Sequence, residues 1–153
     1  MSQMIKKIMI AVDFSDYTDP SVQYGISLAR ELKATLLLVN IINIRDLMTV
    51  ERYLAVQDPA LYQKYVDDTH AMRHSTLKIL LDRAAEQDVA GEKLVKVGVP
   101  HEGLLQVIED NKPDLLIMGT KGRGNLADTI IGSCAQKMYR RSPIPLLSLR
   151  PKK

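Results

Sequence analysis

Five short apolar runs alternate with stretches of helical periodicity, and that alternation leaves the chain few folds to adopt. The runs are Ile8-Met9-Ile10-Ala11-Val12, residues 35–42 (Thr35-Leu36-Leu37-Leu38-Val39-Asn40-Ile41-Ile42), Lys93-Leu94-Val95-Lys96-Val97, Leu115-Leu116-Ile117-Met118 and residues 144–149. A nearly continuous apolar run, rather than an alternating one, marks a strand covered on both faces. Between the runs, Val22, Ile26 and Ala29 fit one face of a helix beginning near Pro20. Residues 61–87 read as a long helix with Tyr65, Met72, Thr76, Leu80 and Leu81 near one face. Pro100 stands where a helix starts, Leu104, Leu105, Val107 and Ile108 supply its apolar face, and Asn111-Lys112-Pro113 ends it. A last helix runs from about Leu126 to Arg141, broken near Gly132 and stopped by Ser142-Pro143. Strands alternating with helices give an α/β three-layer sandwich: a five-stranded, mainly parallel sheet with helices on both faces. Residues 43–60 are the least determined, with Asp46 to Ala55 open between a short amphipathic helix and a long loop.

A chain of 153 residues is expected to form one domain spanning 1–153. No apolar run approaches the roughly 18–20 residues of a membrane helix. The first residues, Met1-Ser2-Gln3-Met4-Ile5-Lys6-Lys7, have no apolar stretch or cleavage site of the secretory kind. The single cysteine, Cys134, forms no internal disulfide. These features point to the cytoplasm and away from a membrane. Charge is uneven: six basic residues and no acid follow Asp128, while the net is only +3, so residues 1–128 are net negative. With one Phe, no Trp and a single aromatic, Tyr139, among the basic residues of the tail, that tail reads as a solvated end rather than a nucleic-acid surface.

Ligands of open α/β sheets sit outside the carboxyl ends of the strands. Two strand ends carry unusual chemistry, Val12-Asp13-Phe14-Ser15 and Met118-Gly119-Thr120-Lys121-Gly122-Arg123-Gly124-Asn125. Closely spaced glycines let backbone N–H groups approach an anion, and Lys121 and Arg123 add charge. Gly132-Ser133 lies where a second helical stretch begins, offering further N–H groups. The P-loop string is absent. Gly122-Arg123-Gly124-Asn125-Leu126-Ala127 matches the dinucleotide fingerprint, but that motif needs an acid about 20 residues on, and none follows Asp128.

Gly119-x-x-Gly122, nine residues, then Gly132-Ser133 is a more specific pattern, and with it the chain resembles the ATP-binding universal stress protein family over nearly its whole length. Ile8 to Ser15, Val97 to Glu102, Asp114 to Gly119 and Pro143 to Arg150 look like that family's strands and strand ends. The resemblance implies the strand order 3-2-1-4-5. It implies ATP as ligand; Mg²⁺ is an optional companion of the phosphates. It places Asp13 against the nucleoside, with Ala11 and Val12 before it as further binding positions, and the backbone of Ile41, beside Asn40, against adenine. Gly119, Gly122, Gly132 and Ser133 would hold ribose and phosphates, with Met118, Lys121, Arg123 and Cys134 as further binding positions beside them. Cys134 replaces the family's usual Val at that position, one small residue for another.

The remaining candidates are weaker. His70 and His74 have metal-pair spacing on the long helix, but no third ligand is near, so a solvent-facing pair is expected. His101 is expected to serve the first turn of its helix. Cys134, at a helix start, could have a lowered pKa, yet a small buried hydrophobe is the simpler role. Asp128 is a possible Mg²⁺ ligand of unknown direction. No general base or catalytic constellation stands out. The function expected is therefore a nucleotide-dependent sensor or adaptor in stress response, with an unidentified protein partner. The alternatives are a slow ATPase or nucleotidyl-transfer enzyme using the same site, and a pure interaction module. Residues 144–149, apolar on both faces and carrying Pro145, read as an edge strand. Pairing with a second copy would cover it, and the resembling family forms its dimers there.

Overall fold

The computed structural model describes residues 4–121 and 131–150. Five strands form one sheet: β1 (Lys7–Ala11), β2 (Thr35–Asn43), β3 (Gly91–Gly98), β4 (Leu115–Gly119) and β5 (Leu146–Leu149). Their spatial order is β3-β2-β1-β4-β5, and every pairing is parallel. The connecting helices are α1 (Thr18–Leu32), α2 (Ile44–Leu54), α3 (Pro59–Ala85), α4 (Pro100–Asn111) and α5 (Ser133–Arg141).

Side chains of a strand alternate between faces, so each strand feeds two cores. Ile8, Ile10, Leu36, Leu38 and Ile117 meet Val22, Ile26 and Ala29 of α1 and Leu77, Leu80 and Ala84 of α3. Met9, Leu37, Val39, Leu116 and Met118 meet Leu104, Val107 and Ile108 of α4 and Ala135 and Met138 of α5. Gly25 sets how closely α1 lies on the sheet, because a Cβ there would overlap Ile10 Cδ1. At the opposite edge of β1, Asp114 Oδ2 accepts hydrogen bonds from the N–H groups of Lys6 (2.8 Å) and Lys7 (3.0 Å), tying the start of β4 to the start of β1.

The segment left open by the sequence is helical. Asn43 Oδ1 accepts from Arg45 N at 3.0 Å and caps α2, which buries only Leu47. Asp58 caps α3 in the same way, with Pro59 in its first turn. The buried stripe of α3 differs from the expected one. It runs through Thr69, Leu77, Leu80 and Ala84, while Met72 is 60% exposed. Length explains this: 27 residues of helix span about 40 Å, well beyond the sheet, so the amino-terminal half of α3 passes the strand ends instead of packing on them. The last helix begins at Ser133, with Gly132 as its cap, and the expected portion before Ile131 lies outside the described residues. β5 begins at Leu146 rather than Ile144, since Pro145 has no N–H for the ladder; its carbonyl accepts from Leu116 N at 3.0 Å.

Candidate functional site

At the carboxyl ends of β1, β2 and β4 the sheet opens into a cleft of about 250 Å³. β1 is followed by β2 on one side and flanked by β4 on the other, so the cleft occupies the place where the winding direction reverses. Every described candidate lines it: Ala11, Val12 and Asp13, Ile41, Met118, Gly119 and Lys121, and Gly132, Ser133 and Cys134. Gly122 and Arg123 lie outside the described residues, as does Asp128.

Local bonding fixes this edge. Asn40 is buried on β2 and donates from Nδ2 to Val12 O at 2.7 Å, while Val12 N donates to Val39 O at 2.8 Å. The end of β1 is thus locked to β2. Asp13 Oδ1 then accepts from Ser15 N (3.0 Å) and Ser15 Oγ from Tyr17 N (3.2 Å), two side-chain turns that lead the chain into α1. Between them Phe14 holds φ at 61°, a left-handed backbone uncommon for an aromatic residue. Tyr17 packs on Gly119, where a Cβ would stand 2.5 Å from Tyr17 Cβ. The loop after β4 is anchored at both ends: Thr120 N donates to Leu149 O at 3.0 Å and Gly132 N to Thr120 O at 2.7 Å.

The start of α5 forms the floor. Gly132 caps it with an extended backbone and, as a glycine, brings no side chain to bond its first amides. The first N–H groups of a helix have no acceptor within it, and Ser133, Cys134 and Ala135 present that first turn to the cleft. The Cys134 thiol is pushed up to about 11 by burial first and by the Asp13 carboxylate second, against a smaller opposing pull from Lys137. It is a protonated, half-buried packing group and no activated nucleophile. Asp13 is engaged by its own turn.

His101 is buried in the first turn of α4 and does not line the cleft. Burial, then Lys137 and Arg141, lower its pKa, with Glu102 opposing. His70 and His74 are half-buried rather than solvent-facing, and Lys93 Nζ lies 3.4 Å from His74 Nδ1. Among the described residues no group of three or more His, Cys, Asp or Glu could hold a metal ion.

Several cleft residues were missed in the sequence. Pro100 and Leu104 of α4 give an apolar wall. Asn43 and Asp46, at the start of α2, and Arg73 of α3 give a polar one. The Pro100 helix start was visible, but nothing in the pattern showed that α2 and α3 would reach this edge.

Fold and cleft together define a parallel α/β protein with a glycine-lined site at its switch point. The universal stress protein family model matches residues 4–150, and the chain belongs to that family. It is 26% identical over 165 residues to universal stress protein MJ0577 of Methanocaldococcus jannaschii, covering 99% of each chain. The solved structure of MJ0577 superposes with a TM-score of 0.81 at 21% identity, covering 98% of this chain and 99% of that one. Two further structures share the fold. One is a universal stress protein in complex with cAMP (TM-score 0.68, 20% identity, 95% of this chain and 96% of that one). The other is the Archaeoglobus fulgidus protein in complex with dAMP (0.64, 15%, 96% and 99%). Among the described residues no helix is long and apolar enough to cross a membrane.

Proposed function

We propose that the cleft binds ATP and that the protein acts as a nucleotide-dependent sensor or adaptor. The observation that carries this reading is convergence: four separate segments bearing the candidate residues line one cleft at the ligand edge of the sheet. Adenine would lie between the Ile41 backbone and the apolar Pro100–Leu104 wall, with ribose near Asp13. Phosphates, carrying any Mg²⁺ with them, would meet the Gly119–Lys121 turn and the amides of Ser133 and Cys134 at the positive end of α5. Complexes of family members with cAMP and dAMP support adenine as the base. Occupancy would act by favouring one surface conformation over another, which requires different affinities for the two.

We further propose a single cytoplasmic domain that dimerises through residues 144–149. β5 ends the sheet, and its half-buried leucines already pack on their own cores, Leu147 and Leu149 on one and Leu146 on the other. What the edge offers a second copy is therefore mainly backbone N–H and C=O groups. The test of the nucleotide reading is mass spectrometry of small molecules released by heating the purified protein. ATP or ADP in near-stoichiometric amount is expected. Protein that carries none, and takes up none after incubation with ATP, contradicts the reading.

A further inference from the structure

We propose that Arg73 is a phosphate-binding residue of the cleft, held in place by the ring of Phe14. This rests on the nucleotide reading above and extends it to a residue on α3. The buried stripe of α3 passes through Thr69, Leu77, Leu80 and Ala84. Arg73 stands one turn after Thr69 and one turn before Leu77, so a cation interrupts the face that α3 turns toward the sheet. It does so where the helix crosses the strand ends, and it lines the cleft.

The guanidinium carbon lies 5.0 Å from the centroid of the Phe14 ring. That ring is placed by an unusual backbone: Phe14 has φ 61°, held between the Asn40–Val12 bond and the Asp13–Ser15 turn. Left-handed geometry at a bulky residue persists only where the surroundings impose it, and such positions cluster at ligand sites. A cation over a ring face is attracted by it, and a guanidinium carries a planar fork of N–H donors whose geometry matches phosphate oxygens. Charge points the same way. Among the described lining residues the cations are Lys121 and Arg73 and the acids are Asp13 and Asp46, so the side chains balance. A polyphosphate adds several negative charges, and losing Arg73 would leave the described walls net negative against it.

The test is calorimetric titration of the full chain with adenosine, AMP, ADP and ATP. Arg73→Gln is expected to weaken ATP about tenfold or more, the size of a lost charge-assisted hydrogen bond. The loss should shrink through ADP and AMP, and adenosine should stay within about twofold of the parent. Retained adenosine binding also reports an intact cleft. Arg73→Lys, which keeps the charge without the fork, should fall between. Phe14→Leu, which keeps Arg73 and removes its platform, should weaken ATP more than adenosine. Equal losses for adenosine and ATP, or no loss for either, overturn the assignment. A parent that binds none of the four overturns the nucleotide reading itself, and the Arg73 assignment with it.

Discussion

Gly119→Ala probes the junction between fold and site. The added Cβ would stand 2.5, 2.6 and 2.7 Å from Tyr17 Cβ, Cγ and Cδ1. Rotating the ring does not relieve this, because Tyr17 Cβ is itself one of the overlapping atoms and is fixed to the backbone. Either the end of β4 or the 13–17 turn must move. Overpacking of this kind costs about 1–3 kcal/mol. For a chain of this length each kcal/mol lowers Tm by about 2–4 °C, so a fall of about 2–12 °C is expected in a thermal melt. The same turn carries Asp13, so ATP affinity should fall with stability. A double-mutant cycle separates the cause: in a Tyr17→Gly background most of the cost of Gly119→Ala should vanish. A Gly119→Ala protein that melts with the parent, or that pays the same cost in both backgrounds, refutes the packing argument.

Three other outcomes are expected. Asn40→Leu removes the buried bond to Val12 O; because Asn40 Oδ1 has no partner among the described residues, its removal offsets part of the loss, and denaturant unfolding should show a decrease near about 1 kcal/mol rather than a gain. The raised Cys134 pKa means that folding stability should hold below the ordinary thiol value of 9.0 and decline as pH rises toward about 11, since the unfolded chain gives up the proton first; Cys134→Ser should flatten that decline in alkaline unfolding curves. Ser148→Pro should split the proposed dimer, as read by light scattering, without unfolding the chain: Pro145 O and Leu149 O face β4, so ladder alternation turns the Ser148 N–H toward the open edge.

The strands were legible because burial on both faces leaves a mark that local chemistry cannot imitate. Ile8 to Val12 and Leu115 to Met118 are apolar at successive positions, are too short for a buried helix and are bounded by turn residues, which is what a sheet sandwiched between helices needs. The glycine pattern was legible as a loop that lets backbone N–H groups approach an anion; at Gly119 the structure adds a packing reason, since that residue must admit Tyr17 at its α-carbon. α2 was ambiguous because it buries one residue, Leu47, so its apolar pattern is thin and its Asn43 cap is its main signal. The face of α3 was misjudged because Met72 and Tyr65 sit on the portion that overshoots the sheet, where helical spacing no longer reports burial. Arg73 was invisible for the same reason: its place at the cleft depends on the length and direction of α3, and those follow from packing. The thiol of Cys134 pitted a helix start against burial, and burial outweighs it.

The most direct measurement is titration of ATP into the parent and into Gly132→Val by calorimetry. Gly132 has φ −72° and ψ 161°, a conformation valine adopts freely, so the change strains no backbone angle. Gly132 is itself buried and lines the cleft directly before the first amides of α5, where the phosphates are proposed to lie, so side-chain bulk added there is expected to compete with them. The account predicts stoichiometric ATP binding to the parent and at least about a tenfold loss, that is about 1.4 kcal/mol, in a variant that still melts cooperatively. A folded Gly132→Val protein that binds ATP as tightly as the parent would contradict it.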